Sequence, residues 1–298
     1  MLDKPDKEKY YRERFENIKE AFNEAWVCSD GSIEYWGEMS ISDCDDNGNI
    51  INKTYYSEKS LNSHPSQTAY ALAIDFGLIP EKLMKNTALF FKRSIDERCG
   101  CLSVGFLGIS HLAPALEKAG LADMAYKLLK NEKNPGWLYS VINGATTIWE
   151  RWNSYVAETG EFGNALMNSF NHYSYGAIGE WLFGSILGIN SSEKNGETGY
   201  RRIILKPVFS SELEWASGWH ESPCGKIKSS WSIEGNCITY ECSIPANTSA
   251  MLILPDVQIK CVMGKDYIKS AKTDADDKKR FELLSGNYKF IFGEQNNV

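Results

Sequence analysis

The hydrophobic period of this chain changes once, near Gly199. Before it, apolar residues recur at the three-and-four spacing of a helix. After it, they alternate in short runs of the kind that build strands. Periods of 3.6 and 2 belong to different regular elements, so the pattern divides the chain into a helical domain over residues 1–198 and a β domain over 199–298. The polar stretch SSEKNGETG supplies the joint, and 298 residues are enough for two domains.

The helical part reads element by element. Residues 7–25 carry Tyr10, Tyr11, Phe15, Ile18, Ala21, Phe22 and Ala25 at helical spacing. The stretch 29–65 breaks the pattern with DGSIEYWGE and SDCDDNGN, which are turn chemistry. A second helix starts at Ser66, turns Ala69, Tyr70, Leu72, Ala73 and Phe76 inward and closes at Gly77. A third has Pro80 in its first turn and ends before Gly100. Residues 106–119, stopped by Gly120, then 121–130 and 169–187 complete the set. Helices of this length with short joints and no fixed repeat predict helical hairpins side by side. Beyond Gly199, the runs RRIILKPV, KIKSSWSI, CITYECSI, SAMLIL, QIKCVM and YKFIF are separated by turn residues such as Glu234-Gly235-Asn236 and Ser285-Gly286-Asn287. They predict an antiparallel β-sandwich, with the DADDKK run as a solvated loop.

Several function classes are excluded. With 32 basic against 39 acidic residues the formal net charge is −7, which argues against a nucleic-acid partner. No apolar run approaches the ~18–20 residues of a membrane span. The charged opening MLDKPDKEKYYRER does not resemble a signal peptide, so a cytoplasmic location is expected. The eight cysteines form no CxxC pair, and none has a histidine at zinc-ligand spacing. Reduced, mostly buried thiols and neither metal nor cofactor are expected. The chain has no GxSxG elbow, P-loop, GxGxxG or HExxH motif.

Chemistry concentrates in residues 134–181, which hold Trp137, Trp149, Glu150, Arg151, Trp152, Asn168, Asn171 and His172. Gly136, Gly144, Gly160 and Gly163 break this segment into loops that suit the mouth of a pocket. Aromatic faces take the C–H face of a pyranose while polar groups take its hydroxyls. A glutamate between two indoles with an arginine beside it suits an ionised base against an apolar sugar face. The same residues also admit a plain reading: a Glu150–Arg151 ion pair, a structural His172, and Trp149 and Trp152 as core. Two functions stay open on these residues: a glycosidase, whatever its sugar specificity, and a carbohydrate-binding module without cleavage.

The strings GATTIWERWNSY and MNSFNHYSYGAIGEWLFGSILGI resemble the closing part of the catalytic domain of bacterial α-L-rhamnosidases, glycoside hydrolase family 78. SQTAYALAIDFGLIPE, CLSVGFLGISHLAPALEKAGLADMAYKLL and NPGWLYSVINGATTIWERW follow that family's order. GYRRIILKPVF, GKIKSSWSI and SIPANTSAMLILP resemble its C-terminal β-sandwich. The resemblance implies an (α/α)6 toroid of helical hairpins, partial in this chain, followed by an antiparallel β-sandwich. It implies metal-free, inverting hydrolysis of terminal α-L-rhamnose, with Glu150 as general base and His172 contacting the sugar. It makes Trp149, Trp152 and Trp137 candidates for the pocket wall. The family carries its general acid in an earlier motif that has no counterpart here. The carboxylates of the 34–63 segment (Glu34, Glu38, Asp43, Asp45 and Asp46) read as a solvated loop. A partial toroid leaves hairpin faces uncovered, so the expected partners are a rhamnose-containing glycoside and a second chain supplying hairpins, or self-association.

Overall fold

The computed structural model describes residues 4–34, 39–44, 50–56, 66–163, 166–192, 197–274 and 278–293. The apolar spacing of the first half folds as α1 (Pro5–Trp26), α2 (Gln67–Asp75), α3 (Glu81–Asp96), α4 (Phe106–Lys118), α5 (Ala122–Leu129) and the short α6 (Trp137–Ile142). Ser66 caps α2 with its hydroxyl, which accepts from Ala69 N at 3.2 Å. Gly77 and Gly120 end α2 and α4 in left-handed backbone, at φ +69° and +73°. The following residues close the helix ends, with Leu78 N bonding Ala73 O at 2.9 Å and Leu121 N bonding Leu116 O at 2.7 Å. Tyr70 and Ile74 of α2, Phe91 and Ile95 of α3 and Leu112 and Leu116 of α4 form the buried core, with Tyr70 stacked on Phe91 at 5.8 Å.

Four expectations are corrected. Helix α1 forms but buries no residue, and Tyr10 and Tyr11 lie exposed along it. Its attachment is at the C-terminal end, where Asn23 Nδ2 donates to Leu78 O at 2.8 Å. Phe76 is 51% exposed and leans edge-on against the His111 ring instead of turning inward. The stretch taken as turns contains an antiparallel hairpin, β1 (Met39–Cys44) with β2 (Ile50–Tyr56). Residues 169–173 are not helical; a 3₁₀ turn (Ser174–Ala177), the single turn α7 (Ile178–Trp181) and a π turn (Leu182–Ile186) replace the long helix. The thiols also differ from expectation: of the seven free cysteines described, only Cys101 and Cys242 are buried.

The chain forms two compact units, Leu2–His172 and Tyr173–Val298. In the first, β3 (Tyr155–Val156) and β4 (Glu161–Phe162) make a second small hairpin. In the second, β5 (Ile189–Ser191), β6 (Arg202–Leu205), β7 (Trp215–Ser222), β8 (Gly225–Glu234), β9 (Cys237–Ile244), β10 (Ser249–Pro255), β11 (Ile259–Met263), β12 (Ile268–Asp274), β13 (Lys278–Leu283) and β14 (Gly286–Gly293) build two sheets. Their orders are β12-β13-β10-β6-β5 and β11-β14-β9-β8-β7. All pairs are antiparallel except β10 with β6. Alternation puts Ile227, Ser229 and Trp231 of β8 and Tyr288, Phe290 and Phe292 of β14 inside. Phe281 of β13 meets Phe290 of β14 at 5.2 Å, so the sheets pack face to face as a sandwich. The turns preceding β5 are pinned to this core, with Trp231 Nε1 donating to Ile186 O at 2.8 Å and Ser229 Oγ to Leu187 O at 2.6 Å.

Candidate active site

Two loop segments run side by side to make the site. Glu150 N donates to Ser169 O at 2.9 Å and His172 N to Ile148 O at 2.8 Å. The Thr147 hydroxyl donates to Phe170 O. The hairpin β3–β4 lies between these segments in sequence and brings them together. Asn168 Nδ2 locks the base of this arrangement by donating to Ser154 O at 2.9 Å.

Glu150 is half-buried, and its Oε2 accepts from Ser169 N at 2.7 Å. Among the described residues it has no ion-pair partner, so the Glu150–Arg151 pair open in the sequence does not form. The Arg151 side chain is exposed instead. Glu150 Oε1 makes no hydrogen bond among the described residues. The carboxylate is therefore oriented through one oxygen while the other can accept a proton from water.

The other candidates fall into three contacts. The His172 ring stacks on Phe106, the first residue of α4, at 4.8 Å and 14°. Trp152 is half-buried, meets Trp137 edge-on at 5.5 Å and donates from Nε1 to Val104 O at 3.0 Å. Trp149 is buried and meets Phe170 edge-on at 5.3 Å. The segment preceding α4 is itself held by buried Gln67, whose Oε1 accepts from Ser103 N at 2.8 Å and whose Nε2 donates to Cys101 O at 2.9 Å. A hydrogen-bonded route thus runs from the start of α2 through residues 101–104 to the Trp152 indole.

Trp149 also lines an open trough of about 410 Å³ with Tyr155, Phe162 and Phe170 on its aromatic side. Glu150 is not part of that lining. A second hollow of about 580 Å³ takes two carboxylates, Glu132 and Glu158, beside Tyr139 and Asn143. Ser169, Tyr155, Phe162 and Phe170 were not singled out in the sequence; the short ETGEF turn between the two segments was the available signal. Of the carboxylates in the 34–63 segment, Glu34 is half-buried with its N–H bonded to Trp26 O at 2.7 Å. Glu38, Asp45 and Asp46 lie outside the described residues, as does the side chain of Asp43. Among the described residues no cluster of three or more His, Cys, Asp or Glu side chains is placed to hold a metal ion.

Helical hairpins lead to a glutamate between tryptophans, and a two-sheet sandwich follows them, which is a helical-hairpin domain with an appended β domain. Residues 1–186 match the bacterial alpha-L-rhamnosidase 6 hairpin glycosidase domain, and residues 188–269 match the bacterial alpha-L-rhamnosidase C-terminal domain. The chain belongs to the bacterial α-L-rhamnosidase family. It is 38% identical over 231 residues to an alpha-L-rhamnosidase of Formosa agariphila, covering 76% of this chain and 24% of that protein. It is 33% identical over 245 residues to one of Streptomyces avermitilis, covering 82% and 20%. The chain therefore spans about a quarter or less of the length of these curated relatives. The crystal structure of the Streptomyces avermitilis alpha-L-rhamnosidase complexed with L-rhamnose superposes with a TM-score of 0.74 at 31% identity, over 95% of this chain and 24% of that one. Native rhamnosidase from Aspergillus terreus gives 0.73 at 27% identity, over 98% and 28%.

Proposed function

We propose that this chain carries the base side of an inverting α-L-rhamnosidase centre, with Glu150 activating the water that attacks a terminal α-L-rhamnose. The observation that carries this reading is the Glu150 carboxylate: fixed through Oε2 by Ser169 N–H, partly open, and without an ion pair among the described residues. In an inverting reaction one carboxylate takes a proton from water while a second carboxyl, roughly 6.5–9.5 Å away, protonates the departing oxygen. Oε1 of Glu150 accepts the water's proton as its oxygen bonds the anomeric carbon from the face opposite the leaving group. His172, on its Phe106 platform, and the tryptophans at 137, 149 and 152 are the proposed sugar contacts. The rhamnose-bound Streptomyces avermitilis relative supports the choice of sugar.

In this proposal the general acid comes from outside the chain. The chain spans about a quarter of its curated relatives, and its helical unit exposes Tyr10, Tyr11, Leu107, Leu166 and Met167, which suits covering by further hairpins. Catalysis by this chain alone should then depend on a leaving group that departs without protonation. Purified chain should hydrolyse 2,4-dinitrophenyl α-L-rhamnoside and leave methyl α-L-rhamnoside intact, with β-L-rhamnose as the first product seen by NMR. Hydrolysis of both at similar rates would place an acid within this chain. Equal rates for the dinitrophenyl substrate with wild type, Glu150→Gln and buffer would remove Glu150 from the reaction.

A further inference from the structure

Strand β7 is the edge of the β11-β14-β9-β8-β7 sheet, and its alternation turns Trp215, Ser217 and Trp219 away from the sandwich core. Trp215 is 64% exposed and Trp219 58%. Both are on one face, four residues apart, so at ~3.4 Å per residue they stand roughly 13–14 Å apart along the strand. Lys226 Nζ lies 5.2 Å from the Trp219 ring centroid and is held by Glu221 Oε1 at 2.8 Å, which steadies that indole from one side. Neither indole N–H makes a hydrogen bond among the described residues.

The register fixes what lies beside the two rings. Trp215 faces Ser232 across the ladder, and Ser232 faces Thr239. Ser217 faces Ser230. Trp219 faces Lys228, and Lys228 faces Ser243. These five hydroxyls and the Lys228 ammonium have no hydrogen-bond or ion-pair partner among the described residues. The other charges beside them are matched, Lys226 with Glu221 and Lys289 with Glu241 at 2.9 Å. Glu234 closes β8 at the end away from Lys228. Lys228 therefore places an uncompensated positive charge next to Trp219, on a chain whose net charge is −7.

This mixture suits one kind of occupant. The cores of protein interfaces are depleted in Lys and Ser, and a protein docked here would bury hydroxyls without partners. A β-1,4-linked pyranose chain meets each group. Its equatorial linkages leave C–H faces for the indoles, its hydroxyls exchange hydrogen bonds with the serines and the threonine, and a carboxylate at C6 pairs with Lys228. We infer that the outer face of β7, β8 and β9 is a glycan-binding surface, and that its ligand is an acidic polysaccharide, a uronate-bearing β-1,4 chain. The surface lies wholly within the β domain, shares no residue with the candidate active site and does not depend on the role of Glu150.

The test is calorimetric titration of the whole chain with β-1,4-linked hexaglucuronate, with cellohexaose and with poly-L-glutamate. The two hexasaccharides differ only at C6, and the third probe is a polyanion without sugar rings. At low salt hexaglucuronate should bind about two- to fivefold tighter than cellohexaose, the range of one exposed ion pair. Poly-L-glutamate should not bind. Trp215→Ala and Trp219→Ala, both at exposed positions, should each weaken both hexasaccharides about two- to tenfold, the range of one ring contact. Trp219→Tyr should keep most of the affinity, because it keeps a ring. Lys228→Gln should bring the two hexasaccharides to equal affinity. No binding of hexaglucuronate, or binding unchanged in both Trp→Ala variants, overturns the surface. Equal affinity of wild type for the two hexasaccharides overturns the acidic ligand. Poly-L-glutamate bound as tightly as hexaglucuronate overturns the sugar and leaves a plain anion contact.

Discussion

Replacing Gln67 tests how the fold holds the candidate site. Gln67 is 1% exposed and bridges two backbone groups, Cys101 O at 2.9 Å and Ser103 N at 2.8 Å. Gln67→Leu keeps a similar volume and removes both partners. A buried polar group left unpaired costs about 1–3 kcal/mol, so two cost roughly 2–6 kcal/mol. For a unit of this size each kcal/mol moves the melting temperature by about 2–4 °C, which predicts a fall of roughly 4–24 °C in the helical transition followed by circular dichroism at 222 nm. Gln67→Glu separates the two bonds. An ionised glutamate still accepts from Ser103 N but cannot donate to Cys101 O, whereas the protonated acid does both. Burial and the demand for a donor raise the folded pKa of that new carboxyl above its unfolded value, so its contribution is full at acidic pH and declines as pH rises. The Glu variant should thus melt closer to wild type at pH 4 than at pH 7 once each is compared with wild type at the same pH. A fall under about 2 °C for Gln67→Leu, or no pH trend in the Glu variant, would refute the bridge as the support of residues 101–104.

Three further outcomes follow from particular contacts. Asp75 feels burial that pushes its carboxyl up, but hydrogen bonds from Lys118 and His111 outweigh it and hold it below the usual carboxylate range. Its stabilisation is present above the unfolded value of about 3.9 and is lost as pH falls through the depressed folded value, so acid unfolding should be flatter below about pH 4 in Asp75→Asn. Ser229→Ala removes a buried hydroxyl that donates to Leu187 O at 2.6 Å and lies 3.2 Å from the Tyr240 hydroxyl. It should lower stability in urea by about 1–3 kcal/mol, measured by Trp fluorescence. Burial pushes the Cys242 thiol far up, whereas Cys99 is exposed; iodoacetamide at pH 8 should label Cys99 in the native protein and reach Cys242 only after denaturation, as read by peptide mass spectrometry.

Local chemistry made much of the fold legible. Ser66, Gly77 and Gly120 are punctuation with a single physical use, and each does in the structure what its residue type allows. The period-2 runs after Gly199 became strands because one face of each is buried in the sandwich. The misses have equally specific causes. Helix α6 is six residues long, too short for a 3.6-residue period to register. The apolar spacing of α1 predicted a helix correctly, but periodicity reports which residues share a face and not whether anything covers it. In the candidate site, the clustering of Trp149, Glu150, Trp152 and His172 was visible as a string. The partners that organise it were not: Ser169 is 19 residues from Glu150, and Gln67 acts through residues 36 positions away. Such pairings depend on the β3–β4 hairpin and on α2 meeting the segment before α4.

The role of Glu150 is tested most directly by chemical rescue. Glu150→Ala should lose the hydrolysis of 2,4-dinitrophenyl α-L-rhamnoside by ~10²–10⁴-fold, the range for a positioned general base. Azide in the emptied space needs no deprotonation to attack the anomeric carbon. It should restore turnover and yield β-L-rhamnosyl azide, identified by its anomeric NMR signal, as dinitrophenolate leaves. Rescue with that inverted product is the predicted result; a variant as active as wild type without azide, or a rescued product of retained α configuration, would contradict it.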